Sequence, residues 1–108
     1  MLPVEQHFAE KIHSYSYPRE KRPFSRIRDL VDLILIIEQG LSDKVLVMSA
    51  IEATFKRRNT HDIPQVLEIP PDILEESYAR MSQDCGVMKK TMSEAFSFLQ
   101  EYWVELRK

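Results

Sequence analysis

The scarcity of glycine is the feature that most constrains the fold of this chain. Only Gly40 and Gly86 occur in 108 residues, and no run of β-branched residues follows the strict alternation of a strand. Tight hairpin turns depend on glycine, so the usual material for consecutive antiparallel strands is missing. The sequence therefore predicts an all-α protein, folded as a single bundle of about five helices.

Apolar residues that recur every three or four positions mark the helices of this bundle. Ser25 and Ser42 are the expected N-caps of the second and third helices, and Gly40 is expected to close the second. The stretch 59–71 contains three prolines and is expected to cross the surface in extended form. The predicted helices cover Val4 to about Ser16, Arg26 to about Gln39, Asp43 to Arg58, Pro71 or Asp72 to just before Gly86, and Met88 to Leu106.

Composition is typical of a soluble globular protein with one domain, expected over residues 1–108. Hydrophobic residues make up 44% and charged residues 30%, so neither disorder nor a fibre is indicated. Cys85 is the only cysteine, which excludes an intramolecular disulfide. The first residues lack the features of an export signal, and the longest apolar run, 33–37, is too short to span a bilayer. We therefore expect a cytoplasmic protein.

The second predicted helix is apolar on nearly all sides, yet it contains Asp29 and Asp32. The two carboxylates are three residues apart and share one face, and Arg28 precedes Asp32 by four residues as a local ion-pair partner. A buried carboxylate costs several kcal/mol, of order 3–5, unless it is paired. Lys11 of the first helix is a candidate partner for Asp29. Two interpretations are open, a structural salt bridge between helices or an anion site in which Lys11 and Arg28 hold phosphate while Asp29 handles a metal or a proton.

Other candidate groups are less specific. Two segments are basic, the loop 19–28 and the end of the third helix at 56–58. Each either attracts phosphate or is simply solvated charge. The loop also leaves nucleic-acid binding open as a third hypothesis for the function. His7 and His13 are six residues apart and cannot form a helical metal pair, so each is expected at the surface or at a cap. Neither His61-Asp62 as a metal ligand pair nor Cys85 as a nucleophile is favoured.

Two segments, Glu5 to Tyr15 and Ser25 to Leu33, resemble the second half of the AbiEii/AbiGii nucleotidyltransferase toxin family. The resemblance continues through Thr54-Phe55-Lys56-Arg57-Arg58, His61 and the prolines 64, 70 and 71, and it covers essentially the whole chain. It implies that the later helices form the family's C-terminal bundle.

The resemblance assigns roles to individual residues. Lys11 is similar to the motif lysine expected to bind the nucleoside triphosphate, and Asp29 is similar to the acidic residue expected near the metal or the reacting hydroxyl. Arg28 stands where family members often have lysine, which keeps the charge and alters the geometry. Arg26 belongs to the same motif, and Asp32 is expected to support the packing or to orient a basic neighbour.

One part of the family pattern is missing. No Asp-x-Asp pair occurs in the chain, and neither glycine belongs to a phosphate-binding loop. We therefore predict a C-terminal lobe without the sheet lobe, which lines the triphosphate site of a complete enzyme and is inactive alone. Magnesium and a nucleoside triphosphate are expected only in that complete enzyme, and the expected partners are the sheet lobe or an antitoxin, an RNA acceptor, or a second copy of the chain. The alternative is a non-catalytic helical module for protein interaction or self-association.

Overall fold

Helices account for the regular structure of the chain. The computed structural model describes residues 3–17, 23–40, 43–59, 61–70, 72–86 and 91–107, and no strand occurs among them. The all-α prediction is therefore confirmed. The elements are α1 (Val4–Ser16), α2 (Pro23–Gln39), α3 (Lys44–Arg58), a 3₁₀ turn (Asp72–Leu74), α4 (Glu75–Cys85) and α5 (Met92–Leu106).

The central element is α2, as its apolar sequence predicts. It packs against α1, α4, α5 and the 3₁₀ turn, while α1 also packs along α3. Helix α1 is therefore shared between two neighbours, which contact different faces of it. The buried apolar side chains of α2 are Ile27, Leu30, Val31, Leu33, Ile34 and Ile36.

The starts of α2 and α3 differ from the prediction. Helix α2 begins at Pro23, so Ser25 lies inside its first turn and is not the N-cap; proline suits this position because the first helical N–H needs no partner. The cap of α3 is Asp43, whose carboxylate accepts from the backbone N–H groups of Val45 and Leu46 at 2.9 and 3.3 Å. Aspartate caps a helix as well as serine does, so the predicted Ser42 cap is wrong by one position.

The ends of α2, α3 and α4 are closed by residues with positive φ. Gly40 and Gly86 have φ of 110° and 74°, in agreement with their predicted positions after α2 and α4. Asn59 closes α3 with φ 48°, and its N–H donates to the carbonyl of Phe55 at 2.9 Å. The start of α5 is capped by Thr91, so the helix begins later than predicted, and residues 88–90 of the predicted span lie outside the described residues.

The connector 61–70 runs in extended form over α1 and α5 and is fastened to both. The Tyr15 hydroxyl donates to the Glu68 carbonyl at 2.5 Å, and the Trp103 indole N–H donates to the Pro64 carbonyl at 3.2 Å. Leu67, which belongs to the connector, is buried. Within the described part of the chain, no helix is both long and apolar enough to cross a membrane.

Candidate functional site

Two predicted site residues from different helices meet between α1 and α2. The ammonium Nζ of Lys11 lies 3.9 Å from Oδ1 of Asp29 and 2.8 Å from Oδ2 of Asp32. The hydroxyl of Ser14 donates to Oδ2 of Asp29 at 2.7 Å. Because Lys11 and Ser14 are three residues apart in α1, they present one face to the two aspartates of α2. We call these four residues the Lys11 cluster.

The members of the Lys11 cluster differ in burial. The side chain of Asp29 is 8% exposed, whereas those of Lys11 and Asp32 are 27% and 31% exposed. Asp29 is therefore the inner group, and its charge is compensated by a hydrogen bond and a nearby cation. Lys11 and Asp32 form the outer edge, where the ammonium group reaches solvent.

Asp32 is paired with Lys11 rather than with Arg28. Within the described segments, no ion pair of Arg28 is present, and the residue is exposed. The predicted local pair of Arg28 with Asp32 is therefore not formed, because the lysine of α1 approaches the carboxylate more closely than a partner one turn away. On a helix Asp32 lies between Arg28 and Asp29 in angle, so Arg28 belongs to the neighbouring part of the α2 surface.

Arg26 takes a different position. Its guanidinium carbon lies 5.8 Å from the centroid of the Tyr15 ring. Burial is the main cause that raises the pKa of the Tyr15 phenol, and the Arg26 charge opposes it; the carboxylates of Glu68 and Asp29 add to the rise. Arg26 thus packs beside the Lys11 cluster and forms no ion pair with it among the described residues.

The face of α1 that contacts α3 carries a charge cluster of the opposite kind. The carboxylate of Glu10 accepts from Arg57 at 2.8 Å, from Arg58 at 2.9 Å, and from Gln6 at 3.2 Å. Partial burial raises the pKa of Glu10, but Arg58, Gln6 and Arg57 outweigh it and hold the pKa below its ordinary value. Gln6 also donates to Thr54 at 3.0 Å. We call Glu10 with its two arginines the Glu10 cluster.

Beside the Glu10 cluster, four aromatic rings contact one another. They belong to His13 of α1, Tyr17 directly after α1, Phe55 of α3 and His61 of the connector. The His61 ring lies 4.8 Å from His13, 5.0 Å from Phe55 and 5.5 Å from Tyr17, measured between centroids. His13 is 7% exposed, so the prediction of a surface or cap position for it is wrong. The ring contacts of α3 and the connector bury it, which spacing within α1 alone does not reveal. His7, in contrast, is exposed as predicted.

The ring cluster forms one wall of an open cleft of about 670 Å³ at the end of α3. The sequence indicates the basic residues and the His61-Asp62 pair of this region, but not the cleft. We call it the Lys56 cleft. Its lining residues include Glu52, Phe55, Lys56, Asn59, His61 and Asp62.

The remaining predicted groups are distributed differently. Of the basic loop, the residues Arg19, Lys21 and Arg22 lie outside the described residues. In the basic end of α3, Arg57 and Arg58 are occupied by Glu10, and in the described part of the chain Lys56 has no ion-pair partner. Cys85 is exposed.

The Lys11 cluster contains one cation and two carboxylates. Mg²⁺ takes oxygen ligands in near-octahedral geometry, and both aspartates already neutralise Lys11. Among the described residues, no group of three or more His, Cys, Asp or Glu side chains is arranged to hold a metal ion. The described residues of the cluster therefore do not form a magnesium site.

Comparison with known proteins gives one match. The family described as nucleotidyl transferase AbiEii toxin, type IV toxin–antitoxin system, matches residues 1–101, which is nearly the whole chain. No curated protein and no solved structure is a match.

Proposed function

Because this chain belongs to the AbiEii family of nucleotidyl transferase toxins, we propose that it is the helical lobe lining the nucleoside triphosphate site of such an enzyme. In this proposal Lys11 and Arg28 bind phosphate oxygens, Asp29 is the acidic group near the reacting atoms, and Asp32 and Arg26 support the site. The lobe is inactive alone, because phosphoryl transfer depends on metal and positioning groups and the sequence contains no Asp-x-Asp pair.

The contact of Lys11 with Asp29 carries the proposal. These residues lie 18 positions apart on two helices, and each resembles a motif residue of the family. Their charged atoms are 3.9 Å apart. A structural salt bridge accounts for the attraction, but it does not require that Lys11 remain 27% exposed.

The geometry supports an exchange of partners at Lys11. Asp32, the outer carboxylate, is the closer partner of Nζ, and at 31% exposure it can turn to water when a phosphate takes its place. Asp29 exchanges Lys11 for water less readily than Asp32 does, because its side chain is buried and accepts a hydrogen bond from Ser14. Phosphate would therefore displace Asp32, while Asp29 keeps Lys11 oriented. No step of the proposal passes through a metal, since the described residues offer no site for one.

The test is titration of the chain with nucleoside triphosphates, followed by calorimetry and by amide NMR shifts. We expect Lys11→Ala to weaken binding by roughly tenfold or more, since a charge-assisted contact contributes about 1.5–3 kcal/mol. Lys44→Ala is the matched control, because Lys44 also forms an ion pair, with Glu105 of α5, but is 55% exposed and belongs to α3. Equal affinities for both variants would remove Lys11 from the site.

The partner lobe calls for a separate experiment. We expect no nucleotide transfer by the 108-residue chain, and transfer on addition of a sheet lobe that carries Asp-x-Asp. The acceptor is proposed to be an RNA, and the type IV description of the family implies an antitoxin in the same system. Label transfer by the chain alone would contradict the proposal of an incomplete enzyme.

A non-catalytic interaction module is the second candidate. It is favoured by large apolar side chains left at the surface, among them Val45 at 74%, Ile73 at 85% and Val66 at 66% exposure. In sedimentation, self-association that Val45→Lys abolishes would support it. A strict monomer at high concentration would count against a second copy as the partner.

A further inference from the structure

We propose that the Lys56 cleft binds a ribonucleotide with a single phosphate, at a site distinct from the Lys11 cluster. This site lies on the side of α1 that faces α3, whereas the Lys11 cluster faces α2. The inference goes beyond the proposed function and does not depend on it. The volume of the open cleft, about 670 Å³, lies within the range of small-molecule sites.

The wall of the cleft is suited to a planar base. Phe55 and His61 lie edge to face, with centroids 5.0 Å apart, and both line the cleft. The Nε2 atom of His61 is 2.8 Å from the Ser16 hydroxyl, which itself donates to the Ile12 carbonyl at 2.8 Å. The ring is therefore held in place before a ligand arrives, which lowers the entropic cost of stacking.

The His61 ring is suited to stacking rather than to phosphate binding. Burial lowers the pKa of His61, although the Asp62 carboxylate opposes this effect. The ring therefore does not add a second positive charge to the cleft at pH 7. This leaves the phosphate to another group of the cleft.

Lys56 is that group. It is one of three consecutive basic residues at the end of α3, and its two neighbours are occupied, since Arg57 and Arg58 both donate to Glu10. Among the described residues, none pairs with Lys56, which is exposed and lines the cleft. A cation without a carboxylate partner at the mouth of an aromatic cleft is available for a phosphate oxygen.

The other polar groups favour a ribose and one phosphate over a triphosphate. Glu52 and Asp62 line the cleft together with the amide of Asn59. Carboxylates accept from ribose hydroxyls and from exocyclic amino groups, and an amide both donates and accepts. Two carboxylates against one lysine would repel the several charges of a triphosphate, so a monoester or a diester phosphate fits better.

Two kinds of molecule offer a base, a ribose and a single phosphate together. One is a free nucleoside monophosphate, and the other is a residue of single-stranded RNA. The experiment titrates the full, isotope-labelled chain with AMP, with a short single-stranded RNA and with the DNA of the same sequence, and follows NMR shifts. We expect saturable shifts at Phe55, Asn59 and His61. Tighter binding of RNA than of AMP and DNA at these residues identifies the strand as the source, and binding of AMP alone identifies the free nucleotide.

Matched variants decide whether the cleft itself is the site. Lys56→Ala should weaken AMP binding roughly tenfold, and Arg57→Ala, with the same charge change, by less than about twofold. His61→Ala is paired with His7→Ala in the same way; should His61→Ala fail to fold, the exposed Lys56 still provides the test. Equal effects of Lys56→Ala and Arg57→Ala would overturn the proposal. So would shifts confined to Ser14 and Asp29, which would leave the proposed function intact.

Discussion

Helix α1 is joined to its two neighbours by charge clusters of opposite composition. Toward α2, one ammonium group, Lys11, lies between the carboxylates of Asp29 and Asp32. Toward α3, one carboxylate, Glu10, lies between the guanidinium groups of Arg57 and Arg58. Both clusters fasten the same helix, so they can be compared in one structural setting.

The two clusters differ in burial, and this difference determines how much each contributes to the stability of the fold. Asp29 is 8% exposed, whereas Arg57 and Arg58 are 58% and 49% exposed. Removing the partner of a buried charge is costly because the charge cannot return to water, while the partner of a surface charge is replaced by solvent. The Lys11 cluster should therefore respond strongly to substitution, and the Glu10 cluster weakly.

The largest expected effect is that of Lys11→Met. It removes the ammonium group beside the buried carboxylate of Asp29, and we expect a loss of about 2 kcal/mol, below the range for fully buried pairs because Lys11 is partly exposed. Urea unfolding measures it. Lys44→Met is the control and should cost less than about 1 kcal/mol, since its pair with Glu105 is exposed. Equal losses would show that burial does not separate the two kinds of pair.

Ser14→Ala should have the next largest effect. It removes the donor 2.7 Å from the buried carboxylate of Asp29, and a hydrogen bond to a charged group contributes about 1.5 kcal/mol. Thermal unfolding compares it with Ser97→Ala on the exposed face of α5, which should stay within about 0.5 kcal/mol of the parent. A Ser14→Ala protein as stable as the control would mean that water or another donor satisfies Asp29.

Glu10→Gln should have a smaller effect, about 0.5 kcal/mol at neutral pH, because the arginines are half exposed. The pKa of Glu10 is lower in the folded chain than its ordinary value of 4.5, so the folded state binds fewer protons than the unfolded state. The carboxylate therefore stabilises the fold above pH 4.5, and this contribution is lost as the pH falls through the folded pKa. Unfolding measured from pH 7 to pH 3 should be less pH-dependent in Glu10→Gln; an unchanged profile would contradict the assignment.

Arg28→Ala should have the smallest effect on stability, within about 0.5 kcal/mol, because the residue is exposed and has no ion pair among the described residues. Chemical denaturation beside the parent measures it. A loss as large as that of Lys11→Met would show that Arg28 has a structural partner, and would weaken its assignment to phosphate.

The all-α class, the central position of α2 and the bounds of α1 could be predicted from the sequence, because they follow from local periodicity and from the scarcity of glycine. The caps were less predictable. Asp43 and Thr91 begin helices for which serine or an earlier residue was expected. Several polar residues near a helix start can serve as the cap, and tertiary packing selects among them.

The candidate site was only half predictable. Lys11 and Asp29 could be identified, because a carboxylate in an apolar helix requires a partner. The pairing of Asp32 with Lys11 could not, since Arg28 is the nearer residue in sequence. The four-ring cluster and the Lys56 cleft were missed because they join residues that are far apart in the chain. For example, His61 and its contact Ser16 are 45 residues apart, and no local pattern connects them.

By itself, the sequence determined which residues are helical, which of them form the core, and that one buried aspartate needs a cation, because these properties depend on neighbours within a few positions. Only the tertiary structure decided which cation that is, how Glu10 occupies two of three consecutive basic residues, and why Lys56 remains available. The physical reason is that ion pairs and ring contacts act over a few ångströms in space. Such distances between residues far apart in the chain are set by how α1, α2 and α3 pack.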